Sequence, residues 1–175
     1  MIIISGFVLA AALLAGFFWF RQQTPSGRVE EKTYDIVIDK LLKHSVPEIS
    51  VSDLANNFDQ YTILDSRTEE EYKVSHLPGA IWIGAEGNMQ LEKVKEIAPN
   101  TAIVIYCSVG LRSEQAAERL RSASYKNVSN LYGGIFEWSN QLKPLVNEQN
   151  ESTKAVHGYN MIWAKWIRNG EVRFN

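Results

Sequence analysis

The sequence predicts an α/β fold in which a mostly parallel central sheet is flanked by helices on both faces and is preceded by one transmembrane helix. Two observations predict the sheet: short apolar runs typical of buried strands recur along the chain, and segments with helical spacing of apolar residues separate them. Helical crossovers are the usual connections between parallel strands. A third observation, an uncharged N-terminal segment, predicts the transmembrane helix.

The transmembrane prediction concerns residues 1–20, which contain no charged side chain. A helix of this length spans about 30 Å, the thickness of a hydrocarbon core. A cleaved signal peptide is the alternative, but no basic residue precedes the apolar run, and the run ends in bulky aromatic residues instead of a small-residue cleavage site. We therefore expect an uncleaved, single-pass membrane anchor.

The orientation of this anchor follows from the basic residues beside it. Arg21, Arg28 and Lys32 follow the apolar run, and no basic residue precedes it. The positive-inside rule then places the soluble domain in the cytoplasm, with an extracytoplasmic location as the alternative.

The rest of the chain divides into three parts. Residues 21–45 are expected to form a linker and a leading helix, and residues 46–148 the globular domain. The elements predicted for the domain are, in order, a strand at 48–51, a helix at 53–58 capped by Ser52, a strand at 61–64, a helix at 68–74, a strand at 80–83, a helix at 91–97, a strand at 102–106, a helix at 111–124, a strand at 128–132 and a helix at 134–142.

Residues 149–175 form the third part, a C-terminal aromatic extension. Apolar residues with helical spacing predict a single stripe, which we expect to pack on the protein's own domain. Its members are Tyr159, Ile162, Trp163, Trp166 and Ile167. The alternative is a helix lying on a membrane surface, which the nearby Lys154, Lys165 and Arg168 would favour.

Composition excludes several classes of function. The formal net charge of -2 supplies no basic field for nucleic acid, so we expect no nucleic-acid partner. Cys107 is the only cysteine of the chain, which excludes an internal disulfide, and the three histidines are too scattered for a metal site. We expect neither a metal nor another cofactor.

Cys107 is the candidate nucleophile. It follows the strand predicted at 102–106 directly, and the next helix is predicted to begin a few residues later. The amides of such a loop, the positive end of the helix dipole and the guanidinium of Arg112 all favour the thiolate over the thiol. The predicted anion-binding loop is Ser108, Val109, Gly110, Leu111 and Arg112. The alternative is a buried structural cysteine, since free cysteines often serve as small apolar residues.

Four motifs together resemble the single-domain rhodaneses over about residues 48 to 146. They are a Cys-x-x-Gly-x-Arg loop at 107–112, an Asp-x-Arg-x-x-x-Glu-Tyr segment at 65–72, a His-x-x-Gly-Ala turn at 76–80 and a Gly-Gly-x-x-x-Trp segment at 133–138. Two positions depart from the family's pattern: Ser75 stands where a glycine is usual, and the segment before Pro144 lacks the usual glycine. Both departures concern local turns outside residues 107–112, which are called the reactive loop below.

The resemblance implies a sulfurtransferase in which Cys107 carries sulfane sulfur as a persulfide. The expected donor is thiosulfate or a persulfide, and the expected acceptor is a thiol, which a protein could present, or cyanide. The resemblance also implies that Asp65, Arg67, Glu71 and His76 brace loops around the sheet, although they could be read as an acid/base cluster.

Two alternative functions remain. Cysteine-dependent phosphatases and some arsenate reductases of related fold place five residues between cysteine and arginine, whereas four separate Cys107 from Arg112. The other alternative is a non-catalytic, membrane-tethered module that binds proteins. Such modules typically lack the cysteine.

Overall fold

The computed structural model describes residues 28–85 and 87–174, and its centre is a parallel five-stranded sheet. The strands are β1 (Glu48–Ile49), β2 (Thr62–Asp65), β3 (Ile81–Trp82), β4 (Ile103–Tyr106) and β5 (Val128–Leu131). Their order is β1-β5-β4-β2-β3, and each neighbouring pair is parallel. The predicted parallel α/β sheet is therefore confirmed.

Helices cover both faces of this sheet. They are α1 (Lys32–Leu41), α2 (Val51–Asn56), α3 (Glu69–Val74), α4 (Leu91–Lys95), α5 (Leu111–Ser122), α6 (Gly134–Asn140) and α7 (Met161–Ala164), with a 3-10 turn at Phe58–Gln60. All residues of β4 are buried, and they alternate between two apolar clusters. Val104 and Tyr106 pack with α1, α2 and α6, whereas Ile103 and Ile105 pack with α4 and α5. This alternation follows from the twofold period of a strand.

The predicted start of α2 is wrong. The cap of α2 is Ser50, whose Oγ accepts a hydrogen bond from the amide of Asp53 at 3.1 Å, so α2 begins at Val51 and not after Ser52. Either serine could cap a helix, and Ser50 does so because its backbone is extended (φ -75°, ψ 159°) directly after β1.

The two departures from the family's pattern have different backbone consequences. Ser75 is extended, with φ of -169°, a conformation that any residue adopts. Leu142 has φ of +54° in the turn after α6, where a glycine would relieve the clash between Cβ and the backbone. Only the second departure therefore places strain in the chain.

The C-terminal extension packs on the domain, as expected, but not as the predicted stripe. The helix α7 is one short turn, flanked by a parallel pair of strands, β8 (Ala155–His157) and β9 (Glu171–Arg173). Another pair, β6 (Leu145–Val146) and β7 (Ser152–Thr153), is antiparallel and leads into the extension. Ile162 is exposed, whereas Trp163, Trp166 and Ile167 pack against the core, because the short turn directs these side chains differently from a long helix.

The predicted membrane anchor at residues 1–20 lies outside the described residues, and so does the linker at 21–27. Across residues 28–85 and 87–174, none of the helices has the length and apolar character needed to cross a bilayer. The anchor, and the cellular location that depends on it, stay predictions.

Candidate active site

The reactive loop lies between the end of β4 and the start of α5. Cys107 follows Tyr106 directly, and Gly110 is the N-cap of α5 with φ of +118°, a conformation that favours glycine. This conformation turns the amide of Gly110 toward Cys107, and it donates a hydrogen bond to Sγ at 3.2 Å. The carbonyl of Gly110 accepts hydrogen bonds from the side chains of Ser113 and Asn130, each at 3.0 Å, and these bonds hold the turn.

The first turn of α6 supports this loop from behind. The amides of Ile135 and Phe136 donate hydrogen bonds to the carbonyls of Cys107 at 2.9 Å and Ser108 at 3.1 Å. Gly134 has φ of +57°, and a Cβ there would lie 2.4 Å from the carbonyl oxygen of Cys107. The second glycine of the Gly-Gly-x-x-x-Trp motif is therefore needed because it packs directly on the reactive loop.

Arg112 and Cys107 line the same cavity, but the guanidinium of Arg112 is already paired. Its Nη1 and Nη2 donate to the two carboxylate oxygens of Glu71 at 2.7 Å each, and Nη2 also donates to Ser108 Oγ at 2.9 Å. Ser108 Oγ in turn donates to Glu71 at 2.8 Å. The sequence predicts a cation near the sulfur, and the structure shows that a carboxylate largely neutralises this cation.

The ionisation of Glu71 follows from this contact. Burial alone would raise the pKa of Glu71, but the hydrogen bonds and charge of Arg112, together with the charge of Arg67, lower its pKa to about 2. Glu71 is thus a carboxylate at neutral pH. Its contact with the loop could not be read from the sequence, although the Asp-x-Arg-x-x-x-Glu motif points to the residue.

Asp65, Arg67 and His76 make their contacts outside the cavity wall. The guanidinium of Arg67 is fully buried, donates to both carboxylate oxygens of Asp65, and also donates to the carbonyl of Ser75 at 2.6 Å. His76 stacks on Tyr72, with ring centroids 3.8 Å apart. None of these three predicted supporting residues lines the cavity at Cys107, and their contacts are those that a bracing role requires.

A cavity of about 100 Å3 opens at Cys107. Five of the six residues predicted for the cysteine loop line its walls: Cys107, Ser108, Val109, Leu111 and Arg112. The sixth, Gly110, does not line the cavity, and its amide donates to Cys107 Sγ. Three further wall residues come from elsewhere in the chain: Leu41, Tyr159 and Trp163. No local motif marks these three as site residues, because they reach the cavity only when α1 and the C-terminal extension pack on the domain.

The family model for the rhodanese-like domain matches residues 50–141. The chain belongs to the rhodanese-like domain family. This match contains the reactive loop and Glu71, whereas Leu41, Tyr159 and Trp163 lie outside it. The cavity of this rhodanese-like protein is thus built partly from residues that the family model does not include.

Its relatives carry several functions. A putative sulfur carrier protein, YrkF, of Bacillus subtilis is 35% identical over 54% of this chain and 52% of its own length. The adenylyltransferase and sulfurtransferase uba4 of Ogataea parapolymorpha is 30% identical over 55% of this chain and 24% of its own length. A tRNA uridine(34) hydroxylase of Listeria welshimeri is 30% identical over 53% of this chain and 28% of its own length. This rhodanese-like protein therefore spans about half or less of these curated relatives.

Solved structures agree on the fold. The crystal structure of a rhodanese-related protein from Thermoplasma volcanium is 30% identical, with a TM-score of 0.53, and the match covers 58% of this chain and 99% of that one. Across residues 28–85 and 87–174, no group of three or more histidine, cysteine or acidic residues is placed to hold a metal ion. The polar groups at this rhodanese-like site include one thiol, one paired guanidinium and a loop amide.

Proposed function

We propose that this rhodanese-like protein is a sulfurtransferase that moves sulfane sulfur from thiosulfate or a persulfide donor to a thiophilic acceptor through a persulfide on Cys107. The observation that carries the proposal is the position of Sγ. It lines a cavity at the end of β4 and accepts a hydrogen bond from the Gly110 amide at 3.2 Å. The helix α5 begins directly after this amide, so the positive end of its dipole also favours negative charge at the sulfur.

Transfer takes two displacements at sulfur. In the first, the Cys107 thiolate attacks the outer sulfur of the donor, a Cys107 S–S bond forms, and the donor S–S bond breaks. The leaving group, sulfite from thiosulfate or a thiolate from a persulfide, departs with the electron pair. In the second, an acceptor thiolate or cyanide attacks the outer sulfur and restores the Cys107 thiolate. No external oxidant or reductant is needed, because each step exchanges one nucleophile for another.

The class of acceptor follows from the reactivity of a persulfide toward nucleophiles, and no single residue of the site specifies it. A small thiol, a thiol on another protein, or cyanide in an assay can each attack a persulfide that lines this cavity. The names of two relatives, a sulfur carrier and a sulfurtransferase, support a sulfur-transfer role.

The geometry also argues against the phosphatase alternative. Two nitrogens of Arg112 are held by Glu71, so the guanidinium fork is not free to bind a phosphoryl group. The spacing of four residues between Cys107 and Arg112 is that of the sulfurtransferase loop in the resemblance described above.

The test is sulfur transfer by the full chain. Purified protein is treated with thiosulfate or with an alkyl persulfide, its intact mass is measured, and cyanide is added while thiocyanate is followed. We expect an adduct with the mass of one sulfur atom and thiocyanate release, and both should vanish in Cys107→Ser. A thermal melt shows whether the variant is folded.

Absence of an adduct with thiosulfate and with an alkyl persulfide, in folded and reduced wild-type protein, would contradict the proposal. That result would favour the non-catalytic binding module. Release of phosphate from an aryl phosphate would favour the phosphatase instead.

A further inference from the structure

The C-terminal extension is firmly attached to the domain beside the reactive loop. The ring of Trp166 stacks on that of Tyr34 in α1, with centroids 5.2 Å apart. The side chain of Asn140 in α6 donates to the carbonyl of Trp166 at 2.9 Å and accepts from the amide of Arg168 at 2.7 Å. Val156 in β8 is completely buried in the main core. These contacts hold the extension in one place relative to Cys107.

Two aromatic residues of the extension reach the cavity from this fixed base. Asn160 caps α7, because its Oδ1 accepts hydrogen bonds from the amides of Ile162 at 3.0 Å and Trp163 at 3.1 Å. This cap orients Trp163 toward the cavity wall. Tyr159 precedes the cap with φ of +61°, and its amide donates to His157 Nδ1 at 3.1 Å. A left-handed backbone at a tyrosine is uncommon and costs stability.

Tyr159 changes the electrostatics of the cavity, and Trp163 adds apolar surface to its wall. Arg112, the only cation in the described cavity wall, already holds the carboxylate of Glu71, and its Cζ lies 4.9 Å from the centroid of the Tyr159 ring. The face of an aromatic ring is electronegative, so it stabilises the guanidinium and disfavours an anion. Leu41, Val109 and Leu111 complete an apolar wall. A small dianion that enters this cavity loses its hydration, and the guanidinium of Arg112 that would bind it is already paired with Glu71.

We infer that Tyr159 and Trp163 are specificity-determining residues that make the Cys107 cavity select organic persulfide donors, whose carbon chain packs on the two rings, over small inorganic anions such as thiosulfate. This inference rests on the proposed function, because it names the donor class for the same cysteine. A cavity of about 100 Å3 holds the sulfane sulfur and the first carbons of the donor, and the half-exposed ring of Tyr159 lies at the rim.

The transfer from such a donor balances without a co-reactant. The Cys107 thiolate attacks the outer sulfur of R–S–SH and becomes Cys107–S–SH, while R–S⁻ leaves with the electron pair of the broken bond. The proton stays on the transferred sulfur, and the total charge is unchanged. The carbon group R is the part of the donor that the aromatic rings recognise.

A first experiment measures anion exclusion without requiring sulfur transfer. Cys107 is the only cysteine of the chain, so alkylation by iodoacetamide or by iodoacetate reports on this cavity alone. The rate with iodoacetamide is divided by the rate with iodoacetate, and this ratio is divided by the same ratio for free cysteine. The normalised ratio isolates the effect of the negative charge of the reagent. We expect a normalised ratio of about ten in wild type, that is, a tenfold selection against the anionic reagent. It should fall toward one in Tyr159→Ala and in Trp163→Ala.

Three control variants separate the aromatic faces from general effects on the extension. Tyr159→Phe and Trp163→Phe keep a ring and should keep the preference. Ile162→Ala removes an exposed neighbour that does not line the cavity, and it should match wild type. Faster relative reaction of iodoacetate in wild type, or the same ratio in wild type and both alanine variants, would overturn the inference.

A second experiment compares kcat/KM for an alkyl persulfide and for thiosulfate. Tyr159→Ala should lower the value for the persulfide about tenfold, mainly through KM, and leave or raise the value for thiosulfate. Equal losses for both donors would overturn the inference.

The two experiments distinguish a failure of the proposed function from a failure of the donor selection. If neither donor forms a persulfide while the alkylation ratio still depends on Tyr159, the proposed function fails and the selection against anions stands. If persulfide forms with both donors and the alkylation ratio is the same in all variants, the function stands and the donor selection fails.

Discussion

Two arginine–carboxylate pairs lie at the same edge of the sheet, and they differ in burial and in what they hold. Arg67 and Asp65 are two residues apart and have side chains that are 0% exposed. Arg112 and Glu71 are 41 residues apart, and the Arg112 side chain is 19% exposed at the cavity. The first pair braces a turn from within the core, whereas the second joins the reactive loop to α3.

This difference separates stability from reactivity. When a fully buried arginine loses its carboxylate partner, water cannot reach the guanidinium to replace the carboxylate. The free energy of unfolding therefore falls sharply. A partly exposed arginine that loses its carboxylate can turn toward the cavity and its solvent. Removing Asp65 should therefore act on folding, and removing Glu71 should also act on the charge that reaches Cys107.

The largest expected effect is that of Asp65→Ala. It leaves the buried guanidinium of Arg67 without its carboxylate, and we expect the free energy of unfolding to fall by about 3–5 kcal/mol in urea titrations. The matched control is Glu92→Ala, which breaks the exposed pair with Lys95 and should cost less than about 1 kcal/mol. Equal losses in the two variants would remove the contrast between buried and exposed pairs.

A smaller effect is expected for Glu71→Gln. The variant keeps one acceptor for Arg112 but removes the charge, so we expect a loss of about 2 kcal/mol in the free energy of unfolding. The released positive charge of Arg112 should speed alkylation of Cys107 by iodoacetate relative to iodoacetamide. A loss as large as that of Asp65→Ala, with no change in the alkylation ratio, would assign Glu71 a purely structural role.

The smallest effect concerns pH. The pKa of Glu71 is lowered to about 2, so its carboxylate stabilises the fold above the unfolded value of 4.5, and this contribution is lost as the pH falls through the range between the two values. Between pH 7 and pH 4 wild type should lose about 1 kcal/mol more than Glu71→Gln, measured by urea titrations at each pH. Parallel losses in the two proteins would show that the ion pair does not determine this dependence.

The order and type of the elements from α1 to α6 could be predicted from the sequence. Strands and helices have different apolar periods, and these periods are local properties of the chain. Boundaries were less certain, as the cap of α2 shows: Ser50 and Ser52 are equally suitable in the sequence, and the packing of β1 decides between them. The extension was predicted least well, because its long apolar spacing suggested a single helix where the structure has strands and one turn.

The sequence by itself determined which functional groups stand at the end of β4. The pattern consists of a lone cysteine, a glycine three residues later and an arginine two residues after the glycine. It specifies a thiol in an amide-lined turn, because the residue types and their spacing lie within six positions of the chain. Only the tertiary structure decided which carboxylate pairs with Arg112 and which side chains close the cavity. Glu71, Leu41, Tyr159 and Trp163 lie more than 30 residues from the loop, so their contacts depend on how helices and the extension pack, which no local pattern specifies.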